Sequence, residues 1–556
     1  MSLEDLKELE VNLDRELTEL PLWKQPVRVV LFAMHFCVYN FFRTESAKAI
    51  AVAGRISHLI HLIAACPAEP TGESSMDAFV AYREVDPDLS QTMLAINYGH
   101  FSEVMPQAHR GFYRVTALGP KHLRLEHQST EAADSETRDI LLSELALSHA
   151  TAQHPDVRSE IAKLALTLPR ADVKLIASVM GSYIHHYLTS VNEPEFLSDS
   201  VMRNAFGVSN AEFARFKAFL LTIGNYAVDL SRAVEDRLRA AGGDAPELEA
   251  EWLEWISVCW TEDHVRHLAR NLVGISDEVI TKLFAVFGLN FRSTPPDTKN
   301  GGDGYFPPLA LLPGNGILIG PYFTWFFSHA RNALYALQRI DQRRFDNVVS
   351  GDLEPQLIRN AEALLQRLPG LKLRANVVWG AGEIDLLVFE PVTNTVVQIQ
   401  AKAPIAPYGA RMVDRLEGRI EEGIHQLRSF RALPQEEIDS IVSRAVGQTV
   451  SGVKVVDVLL ARSCFGTHRT WSMASDICFL SLAVLSDLTR SGQTNRPTSI
   501  ADLPKAAKHC LDGVIANSNP VWTHKPLVLG KWTLDVPMLD FNQNYVDAER
   551  RRVWSM

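Results

Sequence analysis

The sequence predicts a multidomain protein in which a mostly α-helical N-terminal region is followed by an α/β domain, and three observations carry that expectation. The chain has 556 residues, more than one compact core at roughly 100–200 residues per domain. From about Ser135 to Gly288 apolar residues recur every three or four positions, as in SEIAKLALTL, AEFARFKAFLLTI and EVITKLFAVFGL, the period of an amphipathic helix. The segment GEIDLLVFEPVTNTVVQIQAK, residues 382–402, instead holds two β-rich runs around the turn residues Pro391, Val392, Thr393 and Asn394.

Taken in order, residues 1–130 read as a mixed α/β region. Helical patterns run from Glu4 to Leu17 and from Val29 to Ala65, and FYRVTALGPKHLRLEHQ sets two alternating runs around a Gly-Pro turn, a β-hairpin. Residues 131–295 are the helical region. NFRSTPPDTKNGGDGYFPPLALLPGNG concentrates Pro, Gly and Asp, so residues 296–321 are expected to be a linker. The α/β domain then spans 322–490, with a helix at about Tyr322 to Val348 and a helix, hairpin, helix and strand after it. Residues 491–556 are punctuated by Pro without a clear period and read as a C-terminal extension.

Hydrophobic residues make up 46% and charged residues 22%, which excludes collagen-like and disordered classes. With 55 Lys plus Arg against 66 Asp plus Glu the net charge is -11, so any nucleic-acid site must be local rather than a global positive field. The six Cys show no CxxC spacing, and neither a disulfide framework nor a zinc knuckle is expected. The start, MSLEDLKELEVNLDREL, is acidic and amphipathic, unlike a secretory signal, so the expected location is cytoplasmic. VVLFAMHFCVYNFF, Val29 to Phe42, falls short of the roughly 20 residues of a bilayer span and carries His35 and Asn40, so no membrane is expected as a partner.

The residues with the clearest chemistry lie in the 382–402 hairpin. If its turn closes on Glu390 opposite Thr395, Asp385 falls opposite Gln400. Side chains alternate along a strand, so Gln400 and Lys402 then share a face with Asp385. One acid, one amide oxygen and one amine converge, a set that suits a hard divalent ion such as Mg²⁺ (or Mn²⁺), which takes oxygen ligands and needs only one or two carboxylates. The alternative is a polar hairpin end facing solvent, which the strongly apolar flanks IDLLVF and VVQI disfavour.

Other motifs are weaker. His264 and His267, beside Glu262 and Asp263, have i, i+3 spacing but no evident third and fourth metal ligands. His185 and His186 are adjacent and cannot share one helix face. GNGILIG lacks the Lys of a phosphate loop, and no GxGxxG fingerprint occurs. Arg339, Arg343 and Arg344, and again Arg411, Arg415 and Arg419, form basic rows that either contact phosphates or make solvated ion pairs with interleaved acids.

GEID and QAK resemble the paired motifs of the PD-(D/E)xK, or restriction-endonuclease-like, nuclease superfamily, and the QxK form resembles Mrr-type endonucleases. The resemblance covers roughly Phe345 to Thr470, a minority of the chain. It implies an αβββαβ core and a metal-dependent nuclease, a phosphodiesterase acting on DNA or RNA with DNA favoured, of the kind used in defence or repair. It further implies that Asp385, Gln400 and Glu354 hold the Mg²⁺ or Mn²⁺ and that Lys402 orients or deprotonates the attacking water. Glu354, in SGDLEPQLIRNAEALLQRLPG, matches the acid the family carries early in this helix, with Glu362 as its competitor. Gln426, in MVDRLEGRIEEGIHQLRSF, matches a Gln before Leu that touches the site or the nucleic-acid backbone. VKVVDVLLARSCFG supplies the next buried strand. Gln400 departs from the commoner Glu and lends a metal an oxygen without a charge, so the alternative is a catalytically inactive nuclease-fold module for nucleic-acid binding or assembly. A homodimer or a partner protein held through the helical region is the expected assembly.

Overall fold

The computed structural model describes residues 3–68, 75–146, 155–168, 172–189, 197–242, 245–380, 382–405, 410–490 and 496–554. The chain forms two compact units, each gathered from separate stretches of sequence: Met1–Met105, Ala150–Asp346 and Leu527–Thr533 in the first, Pro106–His149, Asn347–Pro526 and Leu534–Met556 in the second. The expected segments 1–130, 131–295, 322–490 and 491–556 therefore do not coincide with these units, because the chain leaves and re-enters each of them.

The first unit is mostly helical. Its two longest helices are Val27–Arg55 and Asn210–Ala240. Ser209 opens the second with a capping box, its hydroxyl accepting from Glu212 N–H while the Glu212 carboxylate accepts from Ser209 N–H. The apolar run from Val29 to Phe42 lies within the first, with Val30, Leu31, Met34 and Val38 fully buried. Among the described residues no helix is long and apolar enough to cross a membrane.

The stretch expected as a linker, 296–321, is folded. Leu309–Leu312 and Gly316–Ile319 are the central strands of a four-stranded sheet flanked by Gly288–Asn290 and Val258–Thr261. Pro307, Pro308 and Pro313 stand just outside these strands, where no ladder N–H is required. The helix expected over 322–348 is three helices, Pro321–Phe327, Ala330–Ile340 and Gln342–Val348.

The second unit is built on a five-stranded mixed sheet. Its elements are α1 (Glu354–Leu365), β1 (Lys372–Trp379), β2 (Gly382–Glu390), β3 (Thr395–Lys402), α2 (Ala410–Arg431), α3 (Gln435–Val446), β4 (Lys454–Ala461), β5 (Cys478–Ser481) and α4 (Leu482–Thr489). The strand order is β5-β4-β3-β2-β1. The β1–β2 and β2–β3 pairs are antiparallel, and β3–β4 and β4–β5 are parallel. β3 is buried along its whole length, and the amide nitrogen of its mid-strand Gln398 is satisfied there by donating to the Leu427 carbonyl at 2.9 Å and to Asp457 at 2.6 Å.

A second sheet, of four strands, contains the hairpin expected from FYRVTALGPKHLRLEHQ, Tyr113–Gly119 with His122–His127, continued by Trp532–Asp540 and Val521–Leu529. Where described, the C-terminal extension is thus structured, with helices Leu503–Ser518 and Gln543–Trp554 packed on the helix Thr130–Ala146 through Leu141, Leu145, Val514, Val546 and Val553. The helix Thr130–Ala146 belongs to this unit through directed bonds: the Asp139 carboxylate accepts from Phe465 N–H at 2.7 Å and Gly466 N–H at 3.1 Å, and Arg550 donates to Glu144 at 2.7 Å.

Candidate active site

The β2–β3 ladder runs from Glu390 opposite Thr395 to Leu386 opposite Ile399. This is the register expected from the turn, but it stops one pair short of Asp385 and Gln400. Side chains take over there. Asp385 Oδ2 accepts from Ala401 N–H at 2.7 Å, and Gln400 Nε2 donates to the Glu383 carbonyl at 2.6 Å. Asp385 therefore does not pair with Gln400 across the ladder; its carboxylate stands in for a backbone acceptor where the strands part. The pleat slips at this point. Ile384 packs in the same cluster as Leu387 and Phe389, against Phe430 of α2, whereas strict alternation puts residues 384 and 387 on opposite faces.

Lys402 ends β3 and is 6% exposed. Its Nζ lies 3.7 Å from Glu422 Oε2 on α2. The helix can come this close because residue 423 is Gly: a Cβ there would stand 2.5 Å from Leu459 Cδ1 and 3.2 Å from Lys402 Cε. Glu354, the first residue of α1, reaches the same place. Burial raises its carboxyl above the usual range, while Lys402, Arg419 and the Ala403 N–H pull it down and Glu422 pushes it up. Burial likewise pushes Asp385 to about 6, against the Ala401 N–H and Lys402, with Glu354 adding to the upward push. Three charged groups from α1, β2 and β3 thus act on one another.

The chain matches no family model, no curated protein and no solved structure.

Gln400 is 2% exposed, with its amide nitrogen committed to Glu383, which leaves Oε1 as the amide's acceptor. Gln426 lies on α2 one turn beyond Glu422, and its buried Oε1 has no hydrogen-bond partner among the described residues. Glu362 lies two turns along α1 from Glu354. Glu422, Gly423 and the reach of Arg419 are the contributions that sequence reasoning passed over. Their signal is the spacing Arg419, Glu422, Gln426, which places them on one helix face.

Other expected candidates fall elsewhere. His267 is bonded to Asn271 at 2.8 Å, and Glu262 is held by Arg266 and Arg292. These are structural pairs. Arg339 pairs with Asp303 at 3.0 Å in the first unit. Arg415 is exposed on α2, and the Arg411 side chain lies outside the described residues. A cavity of about 500 Å³ in the second unit is lined by Arg431, Asp457, Trp471 and Lys508, and by none of Glu354, Asp385, Gln400 or Lys402.

The donor set fits a hard divalent ion. Two carboxylates are held where burial and mutual repulsion oppose their charge, and a dication relieves both effects. Among the described residues no three His, Cys, Asp or Glu gather closely enough to cage an ion. Mg²⁺ asks for less, binding through one or two carboxylates and completing its shell with neutral oxygens and water. Asp385 and Glu354 would supply the charge and Gln400 Oε1 a neutral oxygen. The Gln400 contact also predicts a substitution effect. In Gln400→Glu a carboxylate would face the Glu383 carbonyl with no proton to share, so the metal-free protein should melt lower than the parent, and Mg²⁺ should recover at least half of the loss. A variant that melts like the parent without metal would show that this bond is immaterial.

Proposed function

We propose that the second unit is a restriction-endonuclease-like, divalent-metal-dependent phosphodiesterase that hydrolyses nucleic acid, DNA in preference to RNA. The observation that carries this reading is the convergence of Glu354, Asp385 and Lys402, from three different elements, at the point where β2 and β3 part. The element order helix, three strands, helix and strand, α1 to β4 with α3 inserted, supports it by agreeing with an αβββαβ core. The preference for DNA rests on the sequence resemblance.

A bound dication supplies Lewis-acid polarisation of the phosphate and lowers the pKa of bound water. The chain's own residues do the rest. Asp385 and Glu354 hold negative charge towards the cation, and Lys402 is the amine that orients or deprotonates the attacking water. Gln426 offers an acceptor with no partner among the described residues, suited to an ordered water. The test is incubation of the full chain with single- and double-stranded DNA and RNA under Mg²⁺, Mn²⁺ or chelator. Cleavage that needs the metal is expected. Tight nucleic-acid binding with no cleavage under any metal would replace this reading with that of a binding module.

Glu354 and Glu362 separate cleanly. Glu354→Gln should cut the rate at least about tenfold, ~1.4 kcal/mol of barrier, because this carboxylate faces Lys402 and Asp385. Glu362→Gln should leave the rate within about twofold. The reverse ranking under saturating Mg²⁺ would move the acid of α1 by two turns.

A further inference from the structure

Asn376 lies in the middle of β1, with a backbone φ of +54°, the left-handed region that Asn tolerates better than other side-chain-bearing residues. The β1–β2 pairing includes Ala375 with Leu386 and Val377 with Ile384, the same register on both sides, and omits only the position between them, Asn376 opposite Asp385. No residue has been inserted. What changes is the pleat. Arg374 is paired with Leu387, which packs against Phe430 of α2, so alternation would turn Val377 and Trp379 to the opposite face. Instead Val377 and Trp379 join the cluster of Leu387, Phe389 and Phe430, and the Trp379 and Phe430 rings meet edge-on at 5.8 Å.

We infer that Asn376 is a positioning residue for Asp385: its left-handed backbone inverts the pleat of β1, breaks the ladder opposite Asp385, and so frees that carboxylate to turn onto Ala401 N–H at the mouth between β2 and β3. Asp385 is consequently outside the ladder on both sides, unpaired with Asn376 and with Gln400. The inversion also locks itself, because returning β1 to regular alternation would pull Trp379 off Phe430 and out of the core. Asn376 is itself exposed, so its contribution is conformational rather than a matter of packed volume. The inference deepens the metal-site reading above and rests on it for its catalytic meaning.

The test compares Asn376→Gly, which keeps the left-handed region at no steric cost, with Asn376→Val and Asn376→Ala, which disfavour it. Two quantities are read on the full chain: Mn²⁺ affinity, and the fluorine resonance of 5-fluorotryptophan at position 379, assigned by Trp379→Phe. The Gly variant should match the parent in both. The Val variant, or Ala if Val does not fold, should bind Mn²⁺ at least tenfold more weakly and move the Trp379 line. A Val or Ala variant identical to the parent overturns the inference, and so does a Gly variant as damaged as Val. If the parent binds no Mn²⁺ and cuts nothing while the Trp379 line still moves in Val but not in Gly, the nuclease reading fails and the backbone role of Asn376 stands.

Discussion

Asp385→Asn should lower metal-dependent cleavage at least about 1000-fold, ~4 kcal/mol of barrier, and should raise the melting temperature at pH 7–8. The two signs come from one carboxylate. Asn keeps an oxygen that can accept from Ala401 N–H, so the strand mouth survives, but it brings no charge to a dication. Burial lifts Asp385 from the usual 3.8 to about 6, so the folded state holds this proton more tightly than the unfolded chain does. The stability that this proton confers is complete below about pH 4 and is lost as pH rises through about 6. Above that the ionised carboxylate costs stability, and Asn removes the cost. The gain in melting temperature should therefore shrink towards zero by about pH 4. In the parent, a proton competes with the metal below about pH 6, so Mn²⁺ affinity should weaken roughly tenfold per pH unit there. Retained activity in Asp385→Asn would remove this residue from the site, and a stability gain that ignores pH would show that its charge is not what burial opposes.

Much of this site was legible because its informative residues are close in sequence. The turn Pro391 to Asn394 fixed the β2–β3 register, and apolar runs identified both strands as buried. The first break came where the pattern depends on a backbone state rather than a composition. The turn register puts Asp385 opposite Gln400 and strict alternation gives it the face of Lys402, and nothing in IDLLVF announces that the pleat slips at residues 384–386. β1 was missed for a related reason: LKLRANVVW is an exposed edge strand interrupted by an Asn, which reads as a break rather than as the middle of a strand. Glu422 was overlooked because a solvated helix charge and a site carboxylate look alike until Gly423 is seen to let α2 approach Lys402. The division into units was invisible to a linear scan. Composition marks where punctuation is dense, but Pro307, Pro308 and Pro313 delimit strands rather than a linker, and only long-range bonds such as Asp139 to Phe465 and Gly466 reveal that residues 106–149 belong with the C-terminal half.

Lys402→Met should abolish cleavage and lower the melting temperature at neutral pH, with the loss shrinking as pH falls. A buried amine is costly to keep. Lys402 is 6% exposed, and its nearest carboxylate, Glu422, stands at 3.7 Å with half of its side chain in solvent. Met follows the stem that already packs along Gly423, but removing one partner of a buried charged cluster leaves the others uncompensated, and Lys402 is the cation that pulls the Glu354 and Asp385 carboxyls down against burial. A residue kept for packing alone would lose the same stability at every pH. Lys402→Arg sharpens the test. Arg preserves the charge, but its planar guanidinium is wider than an ammonium and cannot be deprotonated near neutral pH. The approach of α2 at Gly423 leaves it no room, and overpacking of this kind costs about 1–3 kcal/mol. Arg should therefore fail to restore cleavage and should melt lower than the parent. Cleavage by Lys402→Arg at more than about a tenth of the parent rate would mean that only a fixed positive charge is needed here, and would take the deprotonation of water away from Lys402.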